Sequence, residues 1–119
     1  MATTVVIVDD HSGFRRLARR MLEDAGFEVV GEAEDGETAL SVVARLGPQV
    51  VLLDLQLPGL DGFTVAQRLA ESDSDAVVIL TSSRSAADFG ARLDRSPAIG
   101  FIAKAELSGP AVTRLMGAA

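Results

Sequence analysis

The sequence predicts an α/β domain built on a five-stranded, mostly parallel sheet with helices on both faces. Three observations carry that expectation. Apolar runs without polar alternation, such as Val50-Val51-Leu52-Leu53, read as strands buried on both sides. Stretches with apolar residues spaced three and four apart separate them and read as amphipathic helices. The β-α unit then recurs five times with short connections, which favours parallel strands joined by helical crossovers. An eight-fold barrel, the other common closure of such units, needs about twice this length.

Val5-Val6-Ile7-Val8 is the first strand and ends in Asp9-Asp10. A helix follows through Phe14, Leu17, Ala18, Met21, Leu22 and Ala25, with Ser12 as its expected N-cap and Gly26 as its stop. Phe27, Val29 and Val30 form the second strand, ending near Gly31-Glu32. Asp35-Gly36 opens a helix whose inner side carries Ala39, Leu40, Val43, Ala44 and Leu46, and Gly47-Pro48 closes it. The central strand runs into Asp54, and Pro58-Gly59 turns the chain. Asp61-Gly62 begins the third helix, through Phe63, Ala66, Leu69 and Ala70. Ala76 to Leu80 is the fourth strand, ending in Thr81-Ser82-Ser83. The fourth helix is expected from Ser85 to about Asp94, with Phe89 and Leu93 inward and Pro97 beyond its end. Ile99 to Ala103 is the fifth strand, ending at Lys104. Ser108-Gly109-Pro110 caps a short last helix containing Val112, Leu115 and Met116.

The 119 residues form one domain, 1–119, with 48% hydrophobic and 24% charged residues. A net charge of −6 argues against direct nucleic-acid binding. No apolar run approaches the ~20 residues of a membrane span, and the first residues lack the basic start of a signal peptide. With no cysteine there is no thiolate chemistry, and a cytoplasmic location is the economical expectation. No G-x-G-x-x-G or P-loop follows the first strand, so nucleotide binding ranks low.

In a parallel sheet the carboxyl ends of all strands share one edge, where such folds place their ligands. That edge collects Asp9, Asp10, Asp54, Thr81 and Lys104. Each residue taken singly could be an ordinary polar strand end. Crowded carboxylates repel, so the set asks for a compensating cation. Oxygen ligands suit a hard divalent ion, Mg²⁺ foremost. A carboxylate beside such an ion can attack phosphorus, while lysine and a hydroxyl stabilise the transferred phosphoryl group. His11, the only histidine, reads as a loop residue beside the acidic pair rather than as a ligand. Arg15, Arg16, Arg19 and Arg20 line the outer face of the first helix, either as a solvated face or as a docking surface.

Four segments together resemble the response-regulator receiver domain of two-component signalling. They are Val5 to His11, Val51 to Gly62, Val78 to Ser82 and Gly100 to Lys104, in order and at matching spacing. The acidic-pair and lysine segments look most like receivers that carry helix-turn-helix output domains. The resemblance implies a (βα)5, flavodoxin-like receiver fold. It makes Asp54 the phosphoacceptor, with Asp10 and Asp54 on Mg²⁺ directly, Asp9 through water and the Gln56 backbone carbonyl as a further ligand. Lys104 would pair with the phosphoryl group, and Thr81 would move to hydrogen-bond it. Phe101 occupies the switch-aromatic position and would swing with Thr81, changing the surface of the fourth helix and fifth strand.

The implied partners are a histidine kinase or a histidine phosphotransfer protein, with Arg15 and Arg19 as candidate docking contacts. The chain is read as a receiver alone or a module of a longer regulator, monomeric or dimerising on phosphorylation. It departs from the family pattern at Ala105, where many receivers have proline, at Ser82, usually alanine, and from Asp94 to Pro97. One rival is a pseudo-receiver that never carries phosphate and acts as a constitutive interaction module. Another is an aspartate phosphatase, which usually needs an acid where Gln56 stands.

Overall fold

The computed structural model describes residues 2–118. Strands β1 (Thr4–Val8), β2 (Glu28–Ala33), β3 (Val50–Asp54), β4 (Val77–Ser82) and β5 (Gly100–Ala103) form one sheet in the order β2-β1-β3-β4-β5. Every pairing is parallel. All five residues of β3 are buried, so its apolar run has no solvent face and needs no polar alternation.

The two faces of the sheet build two separate cores. Val6, Val8, Val51, Leu53, Val78 and Leu80 pack on one side against Val43, Val65 and Leu69. Val5, Ile7, Val50, Leu52, Ile79 and Ile102 pack on the other against Ala18, Leu22 and Val112. Burying each such Leu, Ile or Val contributes roughly 1.5–3 kcal/mol relative to exposure. Chain order reverses between β1 and β3, and the carboxyl ends of these two strands frame the crevice at the reversal.

Helices α1 (Ser12–Asp24) and α5 (Gly109–Ala118) cover the second face, and α2 (Gly36–Leu46) and α3 (Gly62–Ala70) the first. Asp35 and Asp61 cap α2 and α3 by accepting from Thr38 N–H and Thr64 N–H at 2.8 and 2.9 Å. Gly47 ends α2 in the left-handed region, φ 57° and ψ 50°. Among the described residues no helix is long and apolar enough to cross a membrane.

Two local expectations are corrected. Ser12 is the first helical residue of α1; His11 holds the N-cap position, and no side chain caps it. Asp9 organises this turn instead, its Oδ1 accepting from His11 N–H at 2.9 Å. The fourth helix does not run from Ser85 to Asp94. A 3₁₀ turn spans Ala86–Asp88, and α4 is confined to Ala91–Arg95. Gly90 between them takes φ 55° and ψ −134°, a conformation closed to residues with a Cβ, and this breaks the helix.

Gly62 sets how closely α3 approaches the end of β3. A Cβ there would lie 2.5 Å from the Asp54 carbonyl oxygen and 2.6 Å from Leu55 Cα, both backbone atoms. Gly62→Ala should therefore destabilise the fold by about 1–3 kcal/mol. Gly13 lies in α1 with nothing near its would-be Cβ, so Gly13→Ala should stabilise by up to ~1 kcal/mol. Urea midpoints of the two variants moving in the same direction would contradict this account.

Candidate functional site

The carboxyl edge of the sheet brings the expected residues together. Asp9 is fully buried and Asp54 is 2% exposed. Thr81, also buried, is the strand neighbour of Asp54 across β3 and β4. Lys104 follows β5 directly and reaches back over both strands. Its Nζ lies 2.6 Å from Asp9 Oδ2 and 3.3 Å from Asp54 Oδ2. One ammonium thus neutralises part of the charge of two carboxylates from different strands. Asp10 is exposed at the rim, and Gln56 N–H donates to Asp54 Oδ1 at 3.1 Å.

Burial pushes the Asp54 carboxyl above the usual carboxylate range, and the neighbouring Asp9 charge adds to it. The Gln56 N–H and Lys104 oppose that shift without cancelling it. Burial alone would lower the Lys104 pKa, but contact with Asp9 and Asp54 outweighs it and raises the value. The site is therefore short of positive charge. Asp9, Asp10, His11 and Asp54 each offer an atom within 4.8 Å of the others. Asp9 Oδ2 is buried and accepts no well-directed hydrogen bond, although the Lys104 charge is close. Hard carboxylate oxygens, excess negative charge and a buried oxygen that meets only the Lys104 ammonium fit a divalent cation such as Mg²⁺.

Several neighbours were not foreseen from sequence. Arg15 Nη1 donates to the Asp9 carbonyl at 2.6 Å, and its Nε donates to Glu32 at 2.9 Å. Arg19 Nε takes the other Glu32 oxygen at 2.9 Å. Burial would raise the Glu32 pKa, but the hydrogen bonds and charges of Arg19 and Arg15 hold it below the usual range. Arg15 and Arg19 are thus tied to β2, and the exposed face of α1 carries Arg16, Leu17 and Arg20. Ser82 Oγ donates to Gln56 Oε1 at 3.3 Å. Phe101 is half-buried and meets Phe89 at 6.0 Å, which meets Phe63 at 5.9 Å. The Arg92 guanidinium covers Phe63 at 4.2 Å. A cavity of about 560 Å³ between α2 and the end of α3 lies at the opposite edge of the sheet, away from these groups.

A buried carboxylate at the end of the middle strand, an acidic pair on its neighbour and a lysine reaching both are the arrangement of a receiver class of signalling domain. The family model for the response regulator receiver domain matches residues 5–112, and the chain belongs to that family. The response regulator GacA of Pseudomonas aeruginosa is 37% identical over 101 residues, covering 84% of this chain and 47% of that protein. A protein-glutamate methylesterase/protein-glutamine glutaminase of Myxococcus xanthus is 48% identical over 80 residues, 66% of this chain and 23% of that protein. The chain thus spans about half or less of the length of these relatives. A LuxR-family two-component response regulator from Aurantimonas sp. SI85-9A1 superposes with TM-score 0.86 at 27% identity, covering 98% of this chain and 87% of that one. The response regulator domain of Thermotoga maritima CheB shares the fold at TM-score 0.85 and 22% identity, covering 99% and 96%.

The raised pKa of Asp54 makes its ionised form a cost to the folded state. That cost is complete above the folded pKa and vanishes below the ordinary value of 3.8, where both states are protonated. Asp54→Asn should therefore raise the urea midpoint of metal-free protein at pH 7, with the gap closing as pH falls towards 3.8. An equal or lower midpoint at pH 7 would show that the Lys104 pairing outweighs burial and repulsion.

Proposed function

We propose that this chain is a phosphorylation switch in which Asp54 accepts a phosphoryl group from a histidine kinase or a histidine phosphotransfer protein. The observation that carries this reading is Lys104, whose ammonium touches both the acceptor Asp54 and the neighbouring Asp9. In the transfer, an Asp54 oxygen forms a bond to phosphorus as the bond from phosphorus to the donor imidazole nitrogen breaks. The electron pair leaves with the imidazole, which takes up a proton. Lys104 stabilises charge on the equatorial oxygens, and the Thr81 hydroxyl donates to one of them. Asp9, Asp10, Asp54 and the Gln56 backbone carbonyl would hold Mg²⁺, which supplies charge neutralisation at the phosphoryl oxygens when bound. The chain acts on itself and is not an enzyme with an external substrate, assisting only its own phosphorylation and dephosphorylation.

Once Asp54 is modified, Thr81 and Phe101 bias the surface of α4 and β5. The contact of Phe101 with Phe89, and of Phe89 edge-on with Phe63, supports this route because movement of Phe101 disturbs Phe89 and, through it, Phe63. The phosphodonor docks over α1 and the loops around the acidic pair, in the cytoplasm. Arg15 and Arg19 remain part of that proposed surface as a scaffold tied to Glu32, while Arg16, Leu17 and Arg20 present the contact.

Incubation with acetyl phosphate and Mg²⁺ should add one phosphoryl group by intact mass, and Asp54→Asn should add none. A folded wild type with no adduct would replace this reading with the pseudo-receiver. Thr81→Ala should still gain the single phosphoryl group by intact mass yet lose its phosphorylation-dependent partner response. Reversing charge at Arg16 and Arg20 should slow transfer from the cognate kinase at least tenfold and leave acetyl phosphate labelling unchanged. The same slowing with both donors would place these residues outside docking.

A further inference from the structure

The acidic pocket contains one nitrogen donor that its role as a Mg²⁺ site does not use. We propose that His11 is a metal ligand and that the pocket therefore binds divalent first-row transition ions through mixed nitrogen and oxygen ligation. This rests on the reading of the pocket as a cation site and concerns which cation this chain takes.

His11 is 72% exposed in its side chain and is free to point into water. It is instead turned onto the acidic pair, with Nδ1 3.0 Å from Asp10 Oδ1 and 3.2 Å from Asp9 Oδ1. Neighbouring ligands of an octahedral ion, each about 2.1 Å from the metal at right angles, lie about 3.0 Å apart. The imidazole and the two carboxylates therefore already have the spacing of adjacent vertices. Asp54 offers a further oxygen within 4.8 Å of the same atoms.

Two features leave the imidazole and the pocket available. His11 occupies the N-cap position of α1, yet its side chain makes no capping hydrogen bond. Its backbone N–H holds Asp9 Oδ1 at 2.9 Å, which ties the residue to the pocket and keeps Nδ1 beside both carboxylates. Asp9 itself is fully buried with Oδ2 lacking a directed donor, an oxygen aimed into the site with ligating capacity to spare. Mg²⁺ strongly prefers oxygen and gains little from an imidazole. Ions such as Ni²⁺, Co²⁺ and Zn²⁺ bind imidazole well and follow the general order of rising affinity along the first row. The predicted effect of His11 is thus selective: it strengthens binding of these ions and leaves Mg²⁺ almost untouched.

The test is titration calorimetry on untagged, metal-free protein with NiCl₂ and, separately, MgCl₂. Wild type, His11→Ala and His11→Gln would be compared. The Ni²⁺ Kd should rise about tenfold or more in both variants, with the Mg²⁺ Kd within about twofold of wild type. Pulsed EPR of bound Mn²⁺ should show coupling to an imidazole nitrogen in wild type and none in His11→Ala. The chain has one histidine, so such a signal has a single source. If Mg²⁺ binds wild type but Ni²⁺ affinity is indifferent to both substitutions, the imidazole is only a hydrogen-bond donor to the acidic pair and the inference falls. Equal losses for Ni²⁺ and Mg²⁺ would also overturn it, since they would mark a general disturbance of the turn. If neither ion binds wild type, the cation site itself fails, and the proposed phosphoryl chemistry fails with it.

Discussion

Two buried carboxylates sharing one ammonium form the constraint on which this molecule turns. Removing charge from water is costly, and Asp9 and Asp54 are both almost inaccessible at adjacent strand ends. Lys104 offsets only part of that cost. The sheet can carry such a site because its two cores, one on each face, hold β1, β3 and β4 rigidly in register. Hydrophobic burial in the strands thus maintains an electrostatically unfavourable edge. The same imbalance gives a cation something to relieve.

Much of this arrangement was legible before any coordinates. The run Val50 to Leu53 announced a fully buried strand because apolar residues without alternation leave no wet face. Placing Asp54, Thr81 and Lys104 on one edge needed only the parallel sense of the strands. The helix ends at Asp35, Gly47 and Asp61 were equally readable, since local backbone chemistry decides them. The α4 region was less legible. Its apolar spacing suited a continuous helix, and the decisive event is a single unusual conformation at Gly90. A glycine's choice of φ leaves no trace in periodicity.

The contacts of Arg15, Arg19 and His11 were hidden for a different reason. Spacing along α1 shows which residues share a face but not what crosses that face from another element. Glu32 lies 17 residues from Arg15 in sequence, and only the packing of α1 beside β2 joins them. The result is a cluster of arginines divided into two employments. Arg15 and Arg19 fasten the helix to Glu32 of the sheet, Arg15 also holds the Asp9 carbonyl, and Arg16 and Arg20 remain in solvent. His11 shows the same limit at shorter range, because ring orientation cannot be read from its place beside two aspartates.

From Ser83 to Gly100 no residue is fully buried, although the segment lies directly beyond the strand that carries Thr81. Little apolar area anchors this stretch, so its alternative arrangements lie close in free energy. Coupling between distant sites is typically worth only about 1–3 kcal/mol. Against a tightly packed helix such a bias would be lost; against this thinly held one, in the proposed switch, it would be enough to change which arrangement predominates. In the proposed switch, the weakness of the region is what would make it legible to a partner.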